Sequence, residues 1–357
     1  MINHKKLKAS VSNIQIKLYQ YLIIMIVASI PFSYYRRLSF NELFLYCNVI
    51  LFFFLFYKTV DSVSKLRIVL FVYSLGSSIY AIFCLRFGKF SAERLGFGET
   101  LDPNDIAYFM VSFLTFNLLF LRKDNNVLLR CVSFANILLC SLALLKTGSR
   151  GGLLSLLLVI IVLLFGRSLT LNLSFIKKIA IFILTLLSLH FVDMNTERYK
   201  TLLSPKTDYN FNDETGRVAL WKMGVGLMLS HPLTGVGLSC FNEGIGRERE
   251  KRGLPPKWQT AHNSLIQIGA ETGLIGFFLF AVLSFNAFKI FGEIVKKSKV
   301  EDLAKIGELA RIGFIGHFVS AMFLSQAYSV YWAFYIVLSA VLKQMLDNES
   351  IATVTVS

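Results

Sequence analysis

The feature that most restricts this chain is a series of apolar blocks between residues 18 and 345, most of them joined by short polar stretches. Each block runs for roughly 15–25 residues, the length of helix that crosses a hydrocarbon core of about 30 Å. In such a core every backbone N–H and C=O must find its partner inside the protein, so blocks of this kind fold as a packed helical bundle. Hydrophobic residues make up 55% of the 357, more than a soluble core of this size needs. The fold class expected is therefore all-α: a polytopic integral membrane helical bundle.

Ten helices are expected, near residues 18–35, 39–57, 68–85, 106–121, 131–146, 152–166, 176–192, 262–288, 312–326 and 328–345. Two joints, at 36–38 and 326–328, are so short that a hairpin there can be one broken or re-entrant element, which leaves eight to twelve crossings open. The chain then divides into residues 1–192 with about seven helices, a large external loop at 193–261, about three helices in 262–345, and a tail at 346–357.

The net charge of +15 does not form a nucleic-acid stripe. It lies mainly in the short joints, the pattern by which positive loops set orientation. Counting from the N-terminus, which carries Lys5, Lys6, Lys8 and Lys17, one side receives KTVDSVSKLR, RKDNNVLLR, GRSLTLNLSFIKK and KIFGEIVKKSKVEDLAKIGELAR. That side is read as cytoplasmic, with both termini on it. The other side receives Arg36 and Arg37, residues 86–105, the TGSRG turn and the long loop. The first apolar block ends in PFSYYRR without a small-residue cleavage site and reads as a retained helix. Four of the five cysteines lie inside apolar blocks, so no disulfide framework is expected.

Three external segments are too polar or too long for mere joints: LRFGKFSAERLGFGETLDPND, KTGSRGG and 193–260. Within the last, GRVALWKMGVGLMLSHPLTGVGLSCF places Val218, Trp221, Val225 and Leu229 at helical spacing. An amphipathic helix on the outer face is expected there.

Several residues in these segments can carry chemistry. His262 stands at the mouth of a long apolar helix, and imidazole is the natural group to take a proton from a hydroxyl. A histidine at a helix end can equally be structural. Glu271 lies deeper in the same helix, where an acid costs roughly 2.5–3.5 kcal/mol on insertion scales; it belongs to a polar site or to a structural hydrogen bond. It is about 13 Å from His262 along the helix at 1.5 Å per residue, too far for direct contact. Gly269, Gly273 and Gly276 recur at spacings of four and three and read as a close-packing face. Arg150, in TGSRGG, can anchor at headgroups or pair bidentately with phosphate, with Gly148, Gly151 and Gly152 admitting the ligand. Arg94 and Arg217 are solvated charges or ligand contacts. Asn104 and Asp105 follow Pro103 where helix caps are expected. No HExxH, paired CxxC, external DxD, P-loop or GxGxxG is present, so neither a metal set nor a nucleotide donor is expected and no cofactor is assigned.

HNSLIQIGAETGLIG contains His262 and Asn263, nine residues, then Gly-Leu-Ile-Gly ending at Gly276. This resembles the signature of the bacterial O-antigen ligase family, which also embraces O-antigen polymerases and related glycan transferases. TGSRGG resembles that family's Ser-Arg-Gly turn, GRVALWKMGVGLMLSHPLTGVGLSCF its Arg-x-x-x-Trp stretch leading to Pro-Leu-x-Gly-Val-Gly, and DPNDIAYFM its Pro-Asn helix start. The segments occur in the family order across residues 94–276.

The resemblance implies a GT-C-like membrane enzyme of the bacterial inner membrane, working on the periplasmic face without metal. Its donor is an undecaprenyl-diphosphate-linked glycan. Its acceptor is lipid A-core for a ligase, or a carrier-linked glycan for a polymerase. Carried over residue by residue, His262, Arg150 and Arg217 are the catalytic residues; Arg150, Arg217, Arg94 and Asn263 bind the diphosphate or glycan; Glu271, Gly273 and Gly276 support them. A protein O-glycan transferase is a third member of this class. A polysaccharide or anion transporter is the alternative from another class, but no internal repeat of the kind transporters show is visible.

Overall fold

The computed structural model describes residues 13–91, 94–97, 102–166, 169–170, 210 and 213–354. The helix expected at 176–192, residues 193–209 of the long loop and most of the N-terminal lysines lie outside the described residues. The described chain forms two compact units. The first takes the residues up to Val63, Leu220–Gly307 and those from Gln326 onward; the second takes Ser64–Ala219 and Glu308–Ser325.

In the first unit α1 (Ile14–Ser29) ends in a 3-10 turn, Ile30–Phe32, and leads through residues 33–35 into α2 (Arg36–Thr59). Arg36 and Arg37 therefore stand in the first turn of a helix and not in the joint expected at 36–38. α1 packs on the later helices α10 (Ser264–Lys297) and α12 (Val330–Val354), and α12 packs on α2. A buried polar tie fixes this arrangement. Gln15 Nε2 donates to Ser339 Oγ at 2.8 Å and to Leu283 O at 3.3 Å, joining three helices where no water competes. Tyr19 stacks on Phe53 with ring centroids 4.0 Å apart.

The second unit is built on α3 (Val63–Phe87), which buries Leu66, Leu70, Ser74, Ser77, Ala81 and Cys84. Their spacing of three and four makes one helical stripe. A hairpin of β1 (Lys89–Ser91) and β2 (Arg94–Gly96) follows, the one departure from all-α structure among the described residues. α4 (Pro103–Leu114) and α5 (Asn117–Phe120) divide the helix expected at 106–121, with the break at residues 115–116. α4 packs on α6 (Val127–Lys146) and α7 (Arg150–Phe165).

Residues 217–251, expected to hold one amphipathic helix, hold two: α8 (Arg217–Ser230) and α9 (Phe241–Lys251). α8 buries Leu220, Met223, Gly224, Leu227 and Met228, while Val225 and Leu229 are exposed. The stripe through Val218, Trp221, Val225 and Leu229 is thus not the buried face; both sides of α8 are apolar, so spacing alone does not distinguish them.

α11 (Glu301–Ala321) starts eleven residues before the expected helix, and α10 runs on to Lys297. The charged segment read as a cytoplasmic loop is mostly helix. Ion pairs four residues apart, Glu293 with Lys297 at 2.8 Å and Glu301 with Lys305, support helix where polarity had suggested loop.

Six described helices are long and apolar enough to cross a membrane: Ile14–Phe32, Arg36–Thr59, Val63–Phe87, Val127–Lys146, Ser264–Lys297 and Val330–Ile351. Arg150–Phe165 is apolar but shorter. The chain is a helical membrane protein, with fewer full-length spans among its described residues than the ten expected.

Candidate functional site

The second unit gathers three of the arginines singled out by the sequence. Asp102 caps α4: its carboxylate accepts from Asn104 N at 2.6 Å and Asp105 N at 3.0 Å, and Asp105 reaches back to Asp102 N. Pro103 takes the first helical position, where a missing N–H costs nothing. The cap is thus Asp102 and not Asn104, which leaves the Asn104 side-chain carbonyl to work elsewhere. It accepts from Arg94 Nη2 at 3.0 Å and from Ser149 Oγ at 2.9 Å. Arg94 Nε donates to Thr147 O at 3.1 Å. Three polar segments, RLG at 94–96, DPND and TGSR, are thereby tied in one network. Two of the Arg94 donors are engaged by the protein, which makes Arg94 a brace for the turn as well as a candidate ligand contact.

That turn presents Arg150. Gly148 takes a left-handed conformation at φ +61°, and Ser149 caps α7 by accepting from Gly152 N at 3.2 Å. Arg150 is the first residue of α7 and is half-buried. Gly151 and Gly152 serve packing and not ligand approach. A Cβ at Gly151 would lie 2.9 Å from the Phe323 ring, and one at Gly152 would lie 2.5 Å from Ala107 Cβ. The Arg217 guanidinium lies over the same Phe323 ring, 5.9 Å from its centroid. Arg94 therefore braces the turn before Arg150, while Arg217 and Gly151 share one aromatic neighbour.

A buried histidine, unassigned by sequence reasoning, backs α4. His317 Nε2 is 3.2 Å from Tyr108 Oη and its Nδ1 is 3.0 Å from Ser112 Oγ. Ser112 Oγ–H already donates to Tyr108 O at 2.7 Å. Its oxygen therefore accepts from Nδ1–H, and Tyr108 donates to Nε2, which assigns a neutral ring with the proton on Nδ1.

The first unit contains His262. It stands two residues before α10, in a left-handed conformation at φ +46° that a side-chain-bearing residue seldom adopts. Such backbone persists where its surroundings fix it. On one side Trp221 Nε1 donates to Ala261 O at 3.1 Å; on the other Asn263 caps α10, accepting from Leu265 N at 3.0 Å and Ile266 N at 3.1 Å. His262 is half-buried, and its Nε2 is 3.3 Å from Thr260 Oγ1. Asn263 is thus fixed as a helix cap. Trp221, one helical turn after Arg217, is the tryptophan of the Arg-x-x-x-Trp stretch, and its hydrogen bond to Ala261 O is not legible in that spacing.

α10 is broken at Gly273, at φ +76° and ψ −172°. The break frees backbone groups, and the Pro-Leu-Thr-Gly-Val-Gly segment fills them. Val236 N donates to Ala270 O at 2.9 Å, Gly237 N to Glu271 O at 3.0 Å, and Leu274 N to Pro232 O at 2.8 Å. A Cβ at Gly273 would come within 2.5 Å of Pro232 O. The glycine expected to pack helices instead opens one, so that a loop can complete it, as irregular backbone at membrane depth requires.

The polar face of α10 serves the same end. Ser264, Gln267 and Glu271 recur three and four residues apart. Ser264 Oγ accepts from Gln326 N at 3.1 Å and Gln267 Oε1 from Ala327 N at 3.1 Å. Glu271, 1% exposed, accepts from Ser239 N at 3.0 Å and Phe241 N at 3.2 Å at the start of α9. Its acid is thus partnered by backbone donors. Among the described residues, no three His, Cys, Asp or Glu side chains gather as a metal-holding group.

Residues 135–281 match the family model for O-antigen ligase. The matched stretch contains Arg150, Arg217, Trp221, His262 and Glu271, and it leaves Arg94 and Asn104 outside. No curated protein matches the chain. The match supports assignment to the O-antigen ligase/polymerase family, whose members transfer glycans in membranes.

Proposed function

We propose that this chain transfers a glycan from an undecaprenyl-diphosphate carrier to an acceptor hydroxyl on the periplasmic face of the inner membrane, as an O-antigen ligase whose acceptor is lipid A-core. The observation that carries the reading is the bracing of the TGSR turn by Arg94 and Asn104. It sets a half-buried arginine at the first position of an apolar helix. A cation fixed at a helix N-terminus, where backbone N–H groups also favour negative charge, suits a lipid diphosphate.

In this reading the carrier diphosphate leaves the anomeric carbon of the donor sugar as the acceptor oxygen bonds to it. Arg150 and Arg217 stabilise the charge that develops on the leaving diphosphate, as preorganised donors do in a water-poor site. Guanidinium suits the role because its planar fork matches phosphate oxygens in pairs. His262 takes the proton from the acceptor hydroxyl. Arg94 and Asn263 hold the turn and the helix start from which these groups act, and Glu271, Gly273 and Gly276 keep α10 broken in the required form. Both termini lie in the cytoplasm, and no resident metal takes part.

Joining the glycan to a carrier-linked repeat unit uses the same donor chemistry, so a polymerase differs only in its acceptor. The test is the surface glycan of a strain lacking this protein, resolved by gel. Bare core with long chains retained on the carrier lipid is the outcome expected. Core capped by a single repeat unit would assign polymerase, and an unchanged profile would remove the transfer reading.

A further inference from the structure

Between α9 and α10 the chain runs through residues 254–261 without helix or strand. Residues 255–258 and 260 of this strap are exposed, so little packing fixes its course. It nevertheless ends at Ala261, buried to 1%, immediately before the left-handed His262. At the near end, Leu254 N donates to Arg249 O at 2.9 Å and Arg249 Nε donates to Pro255 O at 2.9 Å. In the middle, Trp258 lies against α9 at Gly246, where a Cβ would come within 2.8 Å of the indole Nε1. At the far end, Trp221 holds Ala261 O.

Arg249 is the unusual anchor. The residue is only 5% exposed, and its Nη1 is buried with no hydrogen-bond partner among the described residues. A buried cationic donor left unpaired lowers stability, and an apolar side chain of similar size is often as good or better there. The guanidinium is therefore not explained by the stability of α9. What it provides is direction: a fixed Nε–H at the base of the strap that holds the Pro255 carbonyl.

We propose that Arg249 is a positioning residue for His262, acting through the strap 254–261. Arg249 sets where the strap leaves α9, Trp258 seats its middle, and Trp221 receives its end. His262 inherits its place from all three. The inference rests on the reading of His262 as the residue that accepts the acceptor's proton.

The test uses the full-length chain, with trypsin cleavage after the exposed Lys257 as a direct reading of the strap. Each variant is expressed in a strain lacking the native copy, and glycan transfer is read on the purified chain in liposomes with varied carrier-linked glycan and fixed acceptor. R249M is expected to reach the membrane, to be cleaved after Lys257 about tenfold faster as the strap opens locally, and to lose transfer by about tenfold with the donor KM nearly unchanged. R249K, whose ammonium can still donate to Pro255 O, is expected to restore both readings to near wild type. W258A frees the same strap without removing a buried charge and is expected to move both readings in the direction of R249M. Wild-type cleavage or wild-type transfer in R249M overturns the proposal. If R249M does not reach the membrane, the same results in W258A overturn it. H262A is expected to lose transfer with cleavage unchanged. Normal transfer by H262A would remove the reading of the site, and the cleavage data on R249M would still report the strap by themselves.

Discussion

The Trp221 indole holds the carbonyl of Ala261 at 3.1 Å, one residue before His262. Trp221 also stands one turn after Arg217 on α8. The Arg-x-x-x-Trp spacing is thereby given a physical purpose: the arginine opens the helix, and the tryptophan fixes the peptide that precedes the histidine.

Trp221→Phe keeps an aromatic ring, smaller than indole, and removes the donor. A buried acceptor left without its partner costs about 1–3 kcal/mol. If the bond sets His262, the variant reaches the membrane normally and transfers glycan about tenfold more slowly, with the loss in kcat. Wild-type kcat in the purified variant would mean that the indole N–H has no part in placing the histidine.

Glu271 accepts two backbone N–H groups at the start of α9. Glu271→Ala leaves both donors without their acceptor, that of Phe241 in a buried setting, and hydrogen bonds to a charged group contribute about 1.5–3 kcal/mol each. A marked fall in the thermal unfolding midpoint in detergent is expected. Glu271→Gln, which keeps one acceptor oxygen, should fall between the variant and wild type. Equal midpoints for wild type and Glu271→Ala would show that the carboxylate is not the cap of α9.

Gly273→Ala and Gly76→Ala form a contrasting pair. At Gly273 a Cβ meets Pro232 backbone, and φ +76° with ψ −172°, a conformation essentially confined to glycine, adds roughly 1–3 kcal/mol for an L side chain. Gly76 lies inside α3, where a built Cβ meets no described atom within 4 Å beyond its own stretch of helix, and Ala is favoured by about 1 kcal/mol in a helix. The first substitution should lower folded protein in the membrane, and the second should leave it unchanged or raised. The reverse order would contradict the broken-helix account of the Gly-Leu-Ile-Gly stretch.

Arg150→Lys keeps the charge and removes the fork. If Arg150 holds two diphosphate oxygens, transfer should fall by about a hundredfold, roughly 2.7 kcal/mol of transition-state stabilisation. Arg94→Lys should behave differently. It loses the geometry that ties Thr147 O and Asn104 together, so it should loosen the turn and lower the unfolding midpoint as well as the rate. A near-normal rate with Lys at position 150 would point to simple anchoring at the headgroups.

What the sequence made legible follows from its physics. Apolar blocks of this length fix where helices form, because a helix satisfies its backbone within one segment in hydrocarbon, whereas barrel strands are shorter and alternate in polarity. His262, Arg150 and Arg217 stand out because they fall on the segments that resemble the family's motifs; charge alone is spread over many joints and does not pick them out. The cap at Asp102 was not legible, since Asp102, Asn104 and Asp105 are all good caps and only the Arg94 contact reassigns Asn104. Nor was the break at Gly273, because spacings of four and three read equally as a packing face. Residues 289–311 read as loop from their charge, although those charges pair along helices. Trp221 is marked by the Arg-x-x-x-Trp spacing but Arg249 is not; what each holds is a backbone carbonyl, Ala261 O and Pro255 O, that no sequence pattern reveals.

The central claim is that His262 accepts the acceptor's proton during glycan transfer. The most direct measurement places the purified chain and its His262→Ala variant, in equal amounts and equally folded, in liposomes with carrier-linked glycan and lipid A-core. It then quantifies glycan joined to core and carrier diphosphate released. The account predicts both products in equal amounts from wild type and neither above background from the variant. Joined glycan from His262→Ala at the wild-type rate would contradict it.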